Sequence, residues 1–204
     1  MTESNKLILA SNSPRRIELL KQIGVIPDII QASNIEEKMN NNEKLPHERA
    51  IILAREKAES IHHQKKFDEH IVLSADTIVA VGRRIVDKPN NIEEALINLT
   101  LLSGRNHRVY TAVCLIDQIG NFHERVVEKR IKFKKLSIQE TDNYLKSKEW
   151  KDKAGGYAIQ GIAGSFIIKL IGSYTSVMGL PLYQTANLLN GIGFNVSKNW
   201  INEK

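Results

Sequence analysis

Strand-like and helix-like segments alternate along the chain, and this alternation restricts it to mixed α/β folds. The helix boundaries are well marked. Ser13 and Pro14 stand where an N-cap and a first-turn residue belong, and Gly24 follows the last periodic residue. Ser137 and Glu140 have the spacing of a capping box. We therefore expect one mixed sheet flanked by helices. The predicted strands are 6–10, 71–80, 107–117, 122–136 and 165–172, and the predicted helices are 13–24, 45–61, 90–104, 137–149 and one around 182–190.

The composition is that of an ordinary soluble globular protein with one domain. The chain has 204 residues, of which 42% are hydrophobic and 25% are charged. Cys114 is the single cysteine, so an internal disulfide is excluded and a reducing compartment is expected. The N-terminal apolar run is too short for a signal peptide, and no segment approaches the length of a membrane span. We expect a cytoplasmic protein that does not bind a membrane.

The segment IVLSADTIVA, residues 71–80, has the composition of a buried strand but contains a carboxylate, Asp76. An ionised carboxylate is costly to bury unless a cation accompanies it. Two interpretations are open from this segment alone. Asp76 is either a structural exception or a group that holds something supplied by the rest of the chain.

Two arginines occupy positions where a positive charge is not expected. Arg15 and Arg16 lie in the first turn of a predicted helix, whose unpaired N–H groups and positive dipole favour an anion. They either form an anion-binding site with this helix end or are simply exposed to solvent.

Two lysines are candidates for the same site. The ammonium of Lys57 either reaches solvent along its helix or projects into a cleft. Lys88 precedes Pro89, and a hairpin with its turn at Gly82 would return it roughly opposite Asp76. A plain cross-strand ion pair is the alternative for Lys88. Lys57 lies at the centre of an apolar helical stripe that consists of Ala50, Leu53, Ala54, Ala58 and Ile61.

Residues 152–164 are rich in glycine and contain Gln160. Their spacing is not the GxGxxG pattern at the head of a helix, so a dinucleotide-binding fold is not implied. Glycine permits close approach to a ligand or to a neighbouring strand. Gln160 could recognise the edge of a base or could only satisfy the hydrogen bonds of the loop.

The sequence has no histidine pair at metal-binding spacing, no nucleophile elbow and no Walker loop. The remaining acidic and basic residues suit metal-assisted phosphate chemistry.

Taken together, these segments resemble the Maf family of nucleoside triphosphate pyrophosphatases. The similarity extends over nearly the whole chain, from LILASNSPRRIELLKQIG to GSYTSVMGLPL, and two of its motifs are similar to the branch that hydrolyses dTTP and UTP rather than 7-methyl-GTP. The other motifs are IEE (35–37), LAREKA (53–58), SADTIV (74–79), DKP (87–89), LSGRNHRVYTAV (102–113) and KAGGYAIQG (153–161).

The resemblance implies a single Maf-like domain over residues 1–204 with an elongated α/β fold, similar to that of the inosine triphosphatases, in which two lobes flank a deep nucleotide-binding cleft. It also implies a homodimer and cleavage of dTTP and UTP between the α- and β-phosphates, with Mg²⁺ or Mn²⁺. Asp76 matches the proton acceptor of the family. The residues that match positions for substrate binding or substrate choice are Ser11, Arg15, Arg16, Lys57, Thr77, Lys88 and Gln160.

The metal ligands implied by the resemblance are Asp76 and a glutamate. We assign the glutamate as Glu37, and the preceding Glu36 is the alternative.

Two further functions stay open at this point. The first is a pyrophosphatase for another canonical or modified nucleotide, such as 7-methyl-GTP. The second is a non-catalytic basic protein that acts in division or binds nucleic acid, for which the net charge of +6 argues. A modest basic excess is most often a solvated surface, and the sequence lacks the basic stripe with interleaved aromatic residues that single-strand binders use. We therefore expect a nucleoside triphosphate as the ligand and no nucleic acid.

Overall fold

The computed structural model of the chain describes residues 6–33, 35, 44–67 and 69–201. Within these ranges seven strands form one sheet, and six α-helices and four short 3-10 helices accompany it. The strands are β1 (Leu7–Leu9), β2 (Ile29–Ile30), β3 (Ile71–Val81), β4 (Arg84–Val86), β5 (Asn106–Ile116), β6 (Phe122–Phe133) and β7 (Ile167–Ile171). The α-helices are α1 (Pro14–Gln22), α2 (Pro46–His62), α3 (Ile92–Leu102), α4 (Ile138–Ser147), α5 (Tyr174–Met178) and α6 (Leu182–Gly191).

The sheet is mixed, which confirms the predicted fold class. Its strand order is β2-β1-β3-β5-β6-β7, and β4 pairs with β3. β1 runs parallel to both β2 and β3, whereas the pairs β3–β4, β3–β5, β5–β6 and β6–β7 are antiparallel. β5 and β6 form the hairpin that the sequence predicts. β3 therefore lies between the parallel and the antiparallel part of the sheet.

β3 is buried along nearly its whole length, which explains its continuous run of apolar and β-branched residues. Val72 and Ile78 pack into the core on one face of the sheet, and Leu73 and Ala75 pack into the core on the other. Each large apolar side chain that is fully buried stabilises the fold by about 1.5–3 kcal/mol relative to an exposed one. A charge in such a strand needs a partner.

Helices cover both faces of the sheet. α2 covers one face with the predicted apolar stripe, which packs on Val72 and Ala112. α1 and α6 cover the other face, where Leu19, Leu20 and Leu189 are buried. A third apolar cluster joins α3 and α4 to the distal halves of β3, β5 and β6. The three clusters hold in place the strands and helices that carry the predicted site residues.

Side chains cap α3 and α4, and the α4 cap is one that the sequence predicts. Asn91 Oδ1 accepts a hydrogen bond from the backbone N–H of Glu94 at 2.8 Å, and Ser137 and Glu140 form the reciprocal capping box. Such caps stabilise a helix by about 1 kcal/mol. Ser13 occupies the N-cap position of α1, but its side chain makes no capping hydrogen bond. Sequence periodicity misses β2, β4 and α5, which have two, three and five residues and are too short to show a period; β4 is expected only as the returning side of the hairpin at Gly82.

His107 lies in an aromatic cluster and is only 2% exposed. Its Nε2 atom is 2.8 Å from the hydroxyl oxygen of Tyr157, and its ring packs edge-on against Phe133. Desolvation by burial lowers the pKa of His107 from its ordinary value of 6.5 to about 4. The folded protein therefore holds a neutral imidazole at neutral pH.

This burial predicts a loss of stability as the pH falls from about 6.5 to about 4. In that window the unfolded chain binds a proton at His107 and the folded chain does not, so protonation favours unfolding. The loss is complete below the folded pKa and amounts to about 3 kcal/mol. Urea unfolding at pH 7.5 and pH 4.5 measures it. His107→Gln, which keeps a hydrogen-bonding group but does not titrate, should lose less stability over the same range. An equal loss in both proteins would show that protonation of His107 does not cause the loss of stability.

Candidate active site

A gap in the sheet edge next to β3 forms the candidate site. β1 pairs with residues 71–73 of β3, and β4 pairs with residues 79–81 on the same edge. Between them, residues 74–78 have a described strand partner only in β5, on the other side. The cavity at this gap has a volume of about 270 Å³. Its walls include Ala10, Ser11, Asn12, Ser13, Arg15, Arg16, Ser33, Lys57, Asp76, Thr77, Lys88, Asp152, Tyr157, Gln160, Met178 and Gly179.

The cavity walls contain all eight of the predicted site residues that lie in the described part of the chain. They come from four parts of the sequence. These are the end of β1 together with the start of α1, the middle of α2, the β3–β4 hairpin with the residues that follow it, and the glycine-rich segment 152–164. Glu36 and Glu37 lie outside the described residues. The eight that the structure brings together are Ser11, Arg15, Arg16, Lys57, Asp76, Thr77, Lys88 and Gln160.

Asp76 and Lys57 form a buried ion pair in the wall of this cavity. Lys57 Nζ lies 2.5 Å from Asp76 Oδ1, and the two residues are 8% and 5% exposed. The ion pair explains how a carboxylate is accommodated in the apolar β3 strand. It also decides between the two interpretations of Lys57, because its ammonium points toward the sheet and not along the helix to solvent.

The start of α1 supplies two guanidinium groups. Arg16 Nη1 donates to Ser11 Oγ at 3.1 Å, and Arg16 Nε donates to the carbonyl oxygen of Gly179 at 2.9 Å. Ser11 Oγ also accepts from the backbone N–H of Ser13 at 3.2 Å. Burial lowers the pKa of Arg15, which lies beside them. The helix N-terminus and the two side chains together concentrate positive charge on this wall.

A lysine outside the predicted set adds to this charge. Burial, followed by repulsion from Arg15, lowers the pKa of Lys153. Lys153 does not line the cavity itself, but it is close enough to Arg15 in the wall for the two like charges to disfavour one another until an anion neutralises them. The local electrostatics therefore favour an anionic ligand.

Lys88 follows β4 and lies where two cavities meet. In the register of β3 and β4, Val79 lies opposite Val86. If this register continues, Lys88 lies opposite Thr77. The sequence predicts Asp76, one residue earlier, as the approximate partner. Lys88 lines both the site cavity and an adjoining cavity of about 450 Å³.

The segment before Lys88 is held by residues that sequence reasoning missed. Arg49, a buried residue of α2, pairs with Asp87 at 3.2 Å. Asn98 Nδ2 donates to the carbonyl oxygen of Asp87 at 2.9 Å. Nothing in the sequence distinguishes Arg49 from the many exposed arginines, because its burial results from tertiary packing.

The glycine-rich segment closes the cavity from the side of Val79. A Cβ atom on Gly155 would lie 3.0 Å from Val79 Cγ1, and the φ angle of Gly155 is +69°. Both facts require glycine, because other residues rarely adopt this angle and lack the space. The close approach brings Gln160, Tyr157 and Asp152 to the cavity wall. Of these, only Gln160 is predicted from the sequence.

Thr77 reaches the cavity from the face of β3 opposite to Asp76. Its Oγ1 atom is 3.3 Å from Thr111 Oγ1, and Thr111 Oγ1 donates to the carbonyl oxygen of Ser176 at 2.7 Å. The cavity therefore presents a carboxylate on one side of the strand edge and a hydroxyl on the other. Thr111 was missed because a threonine in an apolar strand has the sequence signature of ordinary core packing.

A divalent cation fits part of this site. Mg²⁺ prefers oxygen ligands and commonly uses one or two carboxylates together with substrate phosphates and water. Among the described residues of the cavity wall, Asp76 and Asp152 carry carboxylates. Asp76 Oδ1 accepts a hydrogen bond from Lys57. The other carboxylate oxygen, Oδ2, is an oxygen ligand of the kind that Mg²⁺ prefers. The described residues contain no group of three or more His, Cys, Asp or Glu side chains arranged around a metal position.

In the described part of the chain, no helix is long and apolar enough to cross a membrane.

A family model and several relatives that are similar in sequence indicate one family. The family model described as Maf-like protein matches residues 6–192. A dTTP/UTP pyrophosphatase of Rhodopseudomonas palustris is 50% identical over 201 residues, which cover 97% of each chain. A dTTP/UTP pyrophosphatase of Nitrobacter hamburgensis is 50% identical over 206 residues and 99% of each chain. One solved structure, a nucleoside-triphosphatase (dITP/XTP pyrophosphatase) from Mycobacterium abscessus, covers 92% of this chain and 96% of its own, with 16% identity and a TM-score of 0.44.

Proposed function

The chain belongs to the Maf-like protein family, and we propose that it hydrolyses dTTP and UTP to the nucleoside monophosphate and pyrophosphate in the cavity around Asp76. Relatives of about the same length, 50% identical to it, carry the name dTTP/UTP pyrophosphatase. The observation that carries the proposal is the buried Asp76–Lys57 pair, which lies in a cavity wall together with Arg15, Arg16 and Lys88. A carboxylate and several cations around one small space suit the hydrolysis of a phosphoanhydride.

The cations bind the triphosphate in this proposal. Arg15 and Arg16 at the N-terminus of α1 and Lys88 after β4 approach the cavity from different walls. They neutralise the ground-state charge of the triphosphate and the additional charge on the leaving pyrophosphate. Donors that are already held in position, as Arg16 is by Ser11 and Gly179, need little rearrangement during the reaction.

Asp76 orients the attacking water and accepts its proton. Lys57 fixes one oxygen of the carboxylate, so the other oxygen can face the water. Asp76, together with Glu37 or Glu36, would hold a divalent cation, Mg²⁺ or Mn²⁺, which when bound makes water more acidic and neutralises phosphate charge. The proton passes from the water to Asp76 as the bond between the α-phosphate and the leaving pyrophosphate breaks.

Thr77 and Gln160 recognise the base. Both carry polar groups that can pair with the edge of a pyrimidine, and both line the cavity. A site that hydrogen-bonds its substrate rejects an analogue without the matching group more strongly than an apolar pocket does. We propose that these two residues contribute to the preference for thymine and uracil.

We also propose that residues 1–204 act as a single domain, that the protein is cytoplasmic and that it forms a homodimer. The family match is one continuous stretch, residues 6–192, and Cys114 is a free, buried thiol. The continuous match supports a single domain, and the free thiol supports a cytoplasmic location. The homodimer rests on the family resemblance.

A pyrophosphate-release assay on purified protein tests the activity. The substrates are dTTP, UTP, CTP, GTP and 7-methyl-GTP, each with Mg²⁺, with Mn²⁺ and with EDTA. We expect metal-dependent turnover that favours dTTP and UTP and is lost in EDTA. A preference for another base would retain the chemistry but contradict the roles of Thr77 and Gln160. Folded protein that releases no pyrophosphate from any of these would overturn the proposed function.

A further inference from the structure

The hydroxyl of Thr111 forms the middle of a hydrogen-bonded chain that ends at the cavity. Thr111 lies on β5 directly opposite Thr77 on β3 and is 0% exposed. Its Oγ1 atom donates to the carbonyl oxygen of Ser176 at 2.7 Å and is 3.3 Å from Thr77 Oγ1. Thr77 in turn lines the cavity. The order is therefore Ser176 carbonyl, Thr111 hydroxyl, Thr77 hydroxyl, ligand.

The direction of these hydrogen bonds is fixed by the chemistry of the groups. A threonine hydroxyl has one proton to donate, and a backbone carbonyl can only accept. Thr111 gives its proton to Ser176 and can therefore only accept from Thr77. The proton of Thr77 is then directed away from the cavity. While it donates to Thr111, Thr77 presents only oxygen lone pairs to whatever binds there.

A hydroxyl oxygen that can only accept selects its ligand. It disfavours phosphate oxygens, which are acceptors themselves, and favours an N–H group. Uracil and thymine offer one such group, N3–H, because N1 carries the sugar. Cytosine in the same pose presents a bare N3 lone pair, so two acceptors would face each other. A buried mismatch of this kind is costly.

We propose that Thr111 is a positioning residue that holds the Thr77 hydroxyl as an acceptor for the N3–H group of uracil and thymine, and that this disfavours cytosine relative to them. The inference rests on the proposed function, since it concerns the base of the same substrate. Without the Thr111 hydroxyl, Thr77 is free to turn its proton into the cavity and donate to N3 of cytosine.

The test compares Thr111→Val, which removes the hydroxyl at nearly constant volume, with Thr111→Ser, which keeps it. In Thr111→Val the ratio of kcat/KM for UTP over CTP should fall roughly ten- to a hundredfold, through a gain with CTP as well as a loss with UTP. In Thr111→Ser the ratio should stay within about threefold of wild type. Thr111→Ala removes the hydroxyl with a different volume change, so it should reproduce the altered ratio even if Thr111→Val folds poorly.

A purely structural role of Thr111 would lower both values of kcat/KM together and leave their ratio unchanged, which would overturn the inference. This failure is distinct from failure of the proposed function. If the wild-type protein prefers UTP over CTP and Thr111→Val keeps that preference, only the role of Thr111 is wrong. If the wild-type protein hydrolyses neither dTTP nor UTP, the proposed function is wrong and the role of Thr111 fails with it.

Discussion

Replacing Asp76 with asparagine should lower kcat for dTTP and UTP by about a thousandfold or more, while the protein stays folded. The amide cannot accept a proton from water and carries no charge to hold a metal ion. It does keep an oxygen that can accept from Lys57 Nζ, which lies 2.5 Å from the carboxylate in the wild-type protein. The shape of β3 is therefore preserved while the proposed base is removed.

Steady-state pyrophosphate release measures this effect, and circular dichroism with urea unfolding verifies the fold. Asp142→Asn is a matched control, because Asp142 is an exposed residue of α4 and does not line the cavity. We expect wild-type turnover from this control. Turnover by Asp76→Asn close to that of the control would remove Asp76 from its proposed role.

Replacing Lys57 with methionine should lower the free energy of unfolding by about 3–5 kcal/mol and should also reduce turnover. Methionine fills similar space on α2 but leaves the carboxylate of Asp76, which is 5% exposed, without its cation. An unpaired buried charge is far less stable than a paired one. The carboxylate also loses the group that orients it toward the attacking water.

Urea unfolding at neutral pH measures the stability change. Lys146→Met, at an exposed position of α4, should change stability by no more than about 0.5 kcal/mol. The double variant Lys57→Met with Asp76→Asn should be more stable than Lys57→Met alone, because the amide needs no cation, and it should stay inactive. If Lys57→Met loses no more stability than Lys146→Met, the ion pair does not stabilise the protein.

The longer elements of this fold could be predicted because their signals are local. α2, α3 and α4 have clear caps or periodic apolar stripes, and β5 and β6 are long strands joined by a short turn. Two of the candidate site residues, Asp76 and Lys57, could be singled out from the sequence for a different reason. Asp76 in an apolar strand and Lys57 on an apolar stripe each violate a local rule, and such violations concentrate at functional sites. Ser11 and Thr77, in contrast, come only from the family resemblance.

The remainder of the site depends on contacts between residues distant in sequence. Thr111 and Ser176 are 65 residues apart, and Arg16 and Gly179 are 163 apart. No local pattern indicates that Gly179 would accept from Arg16, because α5, which precedes it, has only five residues. The pairing of β4 with β3 also differs by one residue from the sequence-based expectation. The register of the two strands, continued beyond Val86, places Lys88 opposite Thr77 rather than opposite Asp76, because the register depends on where the turn at Gly82 begins.

Identifying the products of UTP after incubation with the purified protein and Mg²⁺ tests directly whether the cavity around Asp76 hydrolyses this substrate between the α- and β-phosphates. Phosphorus NMR distinguishes UMP and pyrophosphate from UDP and orthophosphate without a coupled enzyme. We expect UMP and pyrophosphate in equal amounts, because the bond between the α- and β-phosphates is cleaved. UDP and orthophosphate, or unchanged UTP with a fully folded protein, would contradict the proposed cleavage.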